Sequence, residues 1–240
     1  MKLITLAFTL LSLTGCDKRQ TNMDTVDPVK IQPITDTTIR TGLTYLALGD
    51  SYTIGEAVEA DKNFPNQLAA RMPQYGLNFN KPQIIARTGW TTDELIQAIG
   101  QQKPAGNFNL VTLLIGVNNQ YRGYNINTYR TEFKELLATA LAYAGGDKKH
   151  VFVLSIPDYS VTPFAQNSDK EKIAREIDQY NAINKAETEN MGIAYVDITL
   201  ISRQATTKPE LIARDGLHPS AEMYSAWVTL FESIVASRYK

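Results

Sequence analysis

Two short segments near opposite ends of this 240-residue chain hold side chains suited to nucleophilic chemistry. Gly49-Asp50-Ser51 follows the apolar run Tyr45-Leu46-Ala47-Leu48, which reads as a strand that delivers a serine at its end. Asp215-Gly216-Leu217-His218 offers a carboxylate and an imidazole three residues apart. A serine hydroxyl is a poor nucleophile unless a base takes its proton and a third group orients that base. The chain has only two histidines, so candidates for the base are few. The spacing is physically sensible, because Gly216 lets the loop fold back and Asp215 can then reach one ring nitrogen while the other faces Ser51. Each piece also has an ordinary structural reading. Ser51 at a strand-to-helix turn can cap the helix, and His218 can be a helix-start histidine satisfied by backbone. His150, after Asp147-Lys148-Lys149, reads as a surface residue.

The elements that must position these residues follow from the apolar pattern. Short runs at Tyr45–Leu48, Gln83–Ala86, Leu110–Ile115, Val151–Ile156 and Ile193–Ile198 have the length and branching of strands buried on both faces. Between them lie helical patterns. Tyr129, Phe133, Leu136, Leu137, Ala140 and Leu141 share one face; Ile173, Ile177, Tyr180 and Asn184 do so more weakly. Thr91 or Thr92 caps a helix beginning Thr-Asp-Glu, and Pro219 suits the first turn of the last helix. Five strands alternating with helices predict an α/β fold with a parallel sheet and helices on both faces. Ligands of such sheets sit beyond the carboxyl ends of the strands. Ser51, Gly89 and Asn118 follow the first three strands, and Asp215 and His218 lie in the loop after the fifth. All therefore fall on one edge.

Taken in order, Ser51, Gly89 in Arg87-Thr88-Gly89-Trp90, Asn118 in Gly116-Val117-Asn118-Asn119, and His218 in Asp-Gly-Leu-His-Pro resemble the four blocks of the SGNH, or GDSL-type, serine hydrolases. The resemblance spans roughly residues 44 to 238, and the order of the four blocks makes it specific. It implies a flavodoxin-like three-layer α/β/α fold with about five strands. It also implies a serine esterase in which Ser51 attacks an acyl ester, His218 is the base and Asp215 orients it. Ser51 and Gly89, through backbone N–H groups, and Asn118, through its amide, would form the oxyanion hole. No metal or organic cofactor is expected. Asp50, Trp90, Asn119 and Tyr159 are the candidates for the substrate pocket. Asp50 shapes the turn, Trp90 is either a pocket wall or a packed aromatic, and the Asp158–Ser168 segment is either pocket lining or lid. One departure stands out: the family's third block usually ends in Asp, and here Asn119 replaces it. A site detuned by that change would leave the other reading, a glycan- or small-ligand-binding protein without turnover.

Residues 1–15 read as a secretory signal, with one lysine before an apolar core too short to span a bilayer. Leu13-Thr14-Gly15-Cys16 resembles a bacterial lipobox, which implies lipidation of Cys16, the only cysteine of the chain. Residues 16–41 then form a polar tether with Pro28 and Pro33, and 42–240 the hydrolase domain. The expected location is the bacterial cell envelope, outside the cytoplasm, with a membrane held through Cys16. The remaining length, about 200 residues, suits one well-buried domain. A net charge of −1 gives nucleic-acid binding no electrostatic footing. The expected substrates are acyl esters of small molecules, lipids or O-acetylated glycans. The lack of a long apolar lid sequence favours short acyl chains.

Overall fold

A computed structural model describes residues 39–240; the signal, Cys16 and nearly all of the tether lie outside the described residues. Five parallel strands form the central sheet: β2 (Tyr45–Gly49), β4 (Gln83–Ala86), β5 (Leu110–Leu114), β6 (Val151–Leu154) and β7 (Ala194–Val196), in spatial order β4-β2-β5-β6-β7. Numbered within this sheet the order is 2-1-3-4-5, the flavodoxin-like winding. The chain reverses its direction of progress between β2 and β5, which pair from Tyr45↔Leu110 to Gly49↔Leu114. A crevice opens there beyond the strand ends. Every residue of β2, β5 and β6 is buried, which is why these strands read as unbroken apolar runs.

A second, two-stranded parallel sheet pairs β1 (Arg40–Leu43) with β3 (Leu77–Phe79). Arg40 and Thr41, expected in the tether, thus open the folded domain. The helices are α1 (Ser51–Ile54), α2 (Phe64–Arg71), α3 (Thr92–Gln102), α4 (Val117–Tyr121), α5 (Ile126–Tyr143), α6 (Lys170–Asn190), α7 (Thr199–Arg203) and α8 (Ala221–Ser237). Thr91 caps α3 in a capping box with Glu94. The apolar faces of α5 and α6 are buried as their spacing predicts, and Tyr129 of α5 donates its hydroxyl to Asn184 of α6 at 2.5 Å. In α8, Tyr224, Trp227, Val228, Phe231 and Val235 are fully buried. Pro219 does not sit in the first turn of α8, because Ser220 takes the cap and accepts from the Met223 N–H. Pro219 instead bridges to Ile212. His150 is not a free surface side chain: its ring stacks on Tyr239 at 4.9 Å between centroids.

Candidate active site

Ser51 is the first residue of α1, directly beyond β2. Asp50 caps that helix, accepting the Tyr52 N–H at 3.0 Å, and the next turn closes on the Asp50 and Ser51 carbonyls. The Ser51 N–H has no partner among the described residues. The serine is therefore presented at the positive end of a short helix with a donor to spare.

The acid–imidazole loop is closed at its base by the Ile212–Pro219 bridge and by Ala213 N–H and Ser220 N–H, which donate to the His218 and Leu211 carbonyls at 2.7 and 2.8 Å. Within it Gly216 takes the left-handed conformation expected of a fold-back, with φ +75°. One Asp215 oxygen accepts the Leu217 and His218 N–H groups, both at 3.0 Å, and so builds the turn. The other lies 2.5 Å from Nδ1 of His218. Partial burial alone would raise the Asp215 carboxyl. The bonds from the imidazole and the two N–H groups outweigh it and hold the group below its ordinary value. His218 is buried and lies edge-on to Tyr52, 5.7 Å between centroids. With Nδ1 taken, Nε2 is the nitrogen left for a second partner. Ser51 and His218 line the same cleft, although no hydrogen bond joins them among the described residues.

That cleft has a volume of about 160 Å³ and is also lined by Gly89, Asn118, Tyr159 and Phe164. The Gly89 N–H has no partner among the described residues, and its carbonyl is pulled away by Arg122, whose Nη2 donates to it at 2.6 Å. Asn118 spends one amide hydrogen on the Trp90 carbonyl at 2.9 Å, which fixes the side chain and leaves the second hydrogen free. Ser51, Gly89 and Asn118 thus bring three unspent N–H groups to one cleft. The arrangement can bind the oxygen of a polarised carbonyl.

Two pocket expectations need correction, and one open alternative is decided. Asp50 is fully buried beneath α1 and does not line the cleft; burial pushes its carboxyl up to about 7 against the N–H groups that bond it. Asn119 is also fully buried, accepting the Thr92 N–H at 3.1 Å and donating to Thr92 Oγ1 at 2.7 Å. It ties α4 to α3 instead of meeting a ligand. Of the two readings of Trp90 the packed aromatic holds: it lies half-buried against the core, and its carbonyl accepts from Asn118. Tyr159 does line the cleft. The sequence reading missed Tyr52, Thr88, Val117, Tyr121 and Leu217, which line it too. Tyr121 was traceable, since it stands one helical turn beyond Asn118. A larger open groove of about 670 Å³ between α2 and the start of α8 holds none of the expected residues. Its Arg71 is already paired with Ser225, Thr229 and Glu232. Among the described residues no His, Cys, Asp and Glu cluster could hold a metal ion, and no helix is long and apolar enough to cross a membrane.

No curated protein matches the chain. Solved structures do match in fold. A member of the lipolytic G-D-S-L family from Veillonella parvula superposes with a TM-score of 0.61 at 16% identity, over 80% of this chain and 97% of its own. A lipase/acylhydrolase from Enterococcus faecalis gives 0.60 at 17%, over 82% and 96%. An acetyl xylan esterase from Geobacillus stearothermophilus gives 0.57 at 18%, over 82% and 95%. The model of the GDSL-like lipase/acylhydrolase family matches residues 47–226, from β2 into α8, and so takes in every element described around the cleft. The chain belongs to the GDSL-like lipase/acylhydrolase family, whose chemistry is the hydrolysis of acyl esters.

Proposed function

We propose that the protein is a serine esterase acting through an acyl-enzyme, with Ser51 as nucleophile, His218 as base and Asp215 as its orienting partner. The observation that carries the reading is the His218 ring, held at Nδ1 by Asp215 at 2.5 Å, in the cleft that also holds Ser51 and three unspent N–H donors. Ser51 Oγ forms a bond to the ester carbonyl carbon as its proton passes to His218 Nε2. The carbonyl oxygen, now carrying the negative charge, is met by the N–H groups of Ser51 and Gly89 and the Asn118 amide. Collapse breaks the carbon–alkoxy bond, and His218 returns the proton to the departing alcohol. Water attacks the acyl-enzyme by the same path, releasing the acid and restoring Ser51. Asp215 holds the imidazole in one tautomer and stabilises the imidazolium.

The acyl group is short. A cleft of about 160 Å³ is well below the roughly 300–1,000 Å³ of sites that enclose drug-sized ligands. Hydrolysis of p-nitrophenyl esters from acetyl to palmitoyl by wild type and Ser51→Ala tests the reading. Turnover should be greatest at the short end and fall by about 10⁴-fold or more in the variant. Absence of turnover on every ester, from folded protein, sinks it and favours a binding protein. The lipobox-like segment supports a place in the bacterial envelope, with the enzyme anchored by a lipidated Cys16. Metabolic labelling with an alkyne fatty acid should mark the wild type and not Cys16→Ala.

A further inference from the structure

Three aromatic rings stand together at the mouth of the cleft. Tyr121 lies 6.3 Å from Tyr159 and 6.1 Å from Phe164, and Tyr159 and Phe164 are 6.3 Å apart. They differ in exposure. Tyr159 is buried and fixed, donating its hydroxyl to Gln120 Oε1 at 3.0 Å, whereas Tyr121 and Phe164 are 60% and 48% exposed. Two large rings left in water beside a reactive serine, backed by a third that cannot move, form a platform for a ligand. Phe164 is also fastened to the acid–imidazole loop, since its N–H donates to the Gly216 carbonyl at 2.9 Å. Phe164 therefore stands beside the loop that carries His218, from which a departing alcohol must collect its proton, and Tyr121 stands one helical turn beyond Asn118.

Thr88 and Gly89 add a polar stretch of rim, and charged side chains bond to both. Thr88 Oγ1 donates to Glu56, and Arg122 joins the Gly89 carbonyl and Glu94, at 2.6 and 3.4 Å. A long acyl chain would gain nothing from this rim and would outgrow the cleft. A pyranose sugar matches both halves: its axial C–H face lies on an aromatic ring, and its hydroxyls meet carboxylate and guanidinium at the edge. We propose that Tyr121 and Phe164 form a leaving-group subsite for a sugar ring, so that the substrates are O-acetylated glycans. The proposal rests on Ser51 acting as the esterase nucleophile.

The test compares acetate release from an O-acetylated methyl pyranoside with release from ethyl acetate, which has no ring to stack. Wild type should favour the sugar ester by about 10-fold or more in kcat/KM, and Tyr121→Ala and Phe164→Ala should each reduce that ratio by about 5-fold or more, through KM. Tyr121→Phe, which keeps the ring face, should restore it. A wild-type ratio near unity, or a ratio unmoved by both alanine variants, overturns the subsite while leaving the esterase standing. So does a loss that falls on octanoyl instead of sugar esters, which would make the rings an acyl wall. Failure of wild type on all esters would strike the nucleophile reading itself.

Discussion

Replacing Asp50 by asparagine should remove a fall in stability expected of the wild-type protein as pH rises from about 5 to 7. Asp50 is fully buried, and burial pushes its carboxyl from 3.8 to about 7, further than the Tyr52 and Asp50 N–H groups pull it down. Between those values the native chain keeps a proton that the unfolded chain has released. The stabilisation is therefore whole below the unfolded value and is lost as pH rises through the folded one. The slope is about −1.4 kcal/mol per pH unit, some 4 kcal/mol in all, of which roughly 2–3 kcal/mol falls between pH 5 and 7. For a domain of this size that is about 5–10 °C in Tm. Asparagine keeps an oxygen for the Tyr52 N–H and carries no charge, so the Asp50 contribution to the slope should vanish. Its absolute stability depends on the new NH₂ group, which replaces an oxygen with no partner among the described residues. An unsatisfied amide there costs about 1–3 kcal/mol, which makes slope the proper readout and not offset. Glu94 and Asp215 are held below their ordinary values, so their contributions fade only at lower pH, and the difference between the two proteins' slopes isolates Asp50. Guanidinium unfolding in half-unit steps from about pH 5 to 8.5, followed by tryptophan fluorescence, measures both proteins. Equal slopes, or a wild type whose stability is flat or rising to pH 7, would refute the reasoning.

Other substitutions probe the site directly. Asn118→Ala removes one unspent donor and should lower kcat by about 10²–10³-fold with a smaller change in KM, read by steady-state kinetics. Asp215→Asn should lower kcat by about 10³–10⁴-fold, since the amide no longer fixes the required tautomer; retention of activity within 10-fold would remove Asp215 from its role. Gly116→Ala should destabilise by about 2–5 kcal/mol in denaturant unfolding. Its φ is +128°, and a Cβ would stand 2.5 Å from the Tyr129 hydroxyl and 2.8 Å from Ile156 Cδ1. Asn119→Asp, which restores the family's usual residue, should cost about 1–3 kcal/mol. Thr92 Oγ1 accepts from the Asn119 amide while donating to Glu132, and a carboxylate would compete for that single proton.

The same case shows what sequence can and cannot disclose. The replacement of Asp by Asn was visible, but Glu132, which accepts from the Thr92 hydroxyl that Asn119 bonds, lies on α5, 40 residues from Thr92, and only folding joins them. The sheet was readable because β2, β5 and β6 are buried on both faces and leave continuous apolar runs. β1 escaped notice because three of its four residues are exposed, and β3 has only three residues. Ser51, Gly89, Asn118 and His218 were legible through block order, and the winding then brought them to one cleft. Lining by Tyr52 and Leu217 was not, because each stands beside a motif residue and nothing in its type or spacing marks it. Asp50 was rightly read as shaping the turn, since its side chain turns inward to cap α1, and that same inward turn keeps it out of the cleft it was a candidate to line.

The most direct test of the central claim is covalent. A fluorophosphonate that reacts with activated serines should add once per chain, and peptide mass spectrometry should place the adduct on Ser51. His218→Ala should slow that labelling by orders of magnitude, and Ser51→Ala should abolish it. An adduct on another residue, or labelling undiminished in Ser51→Ala, would contradict the account.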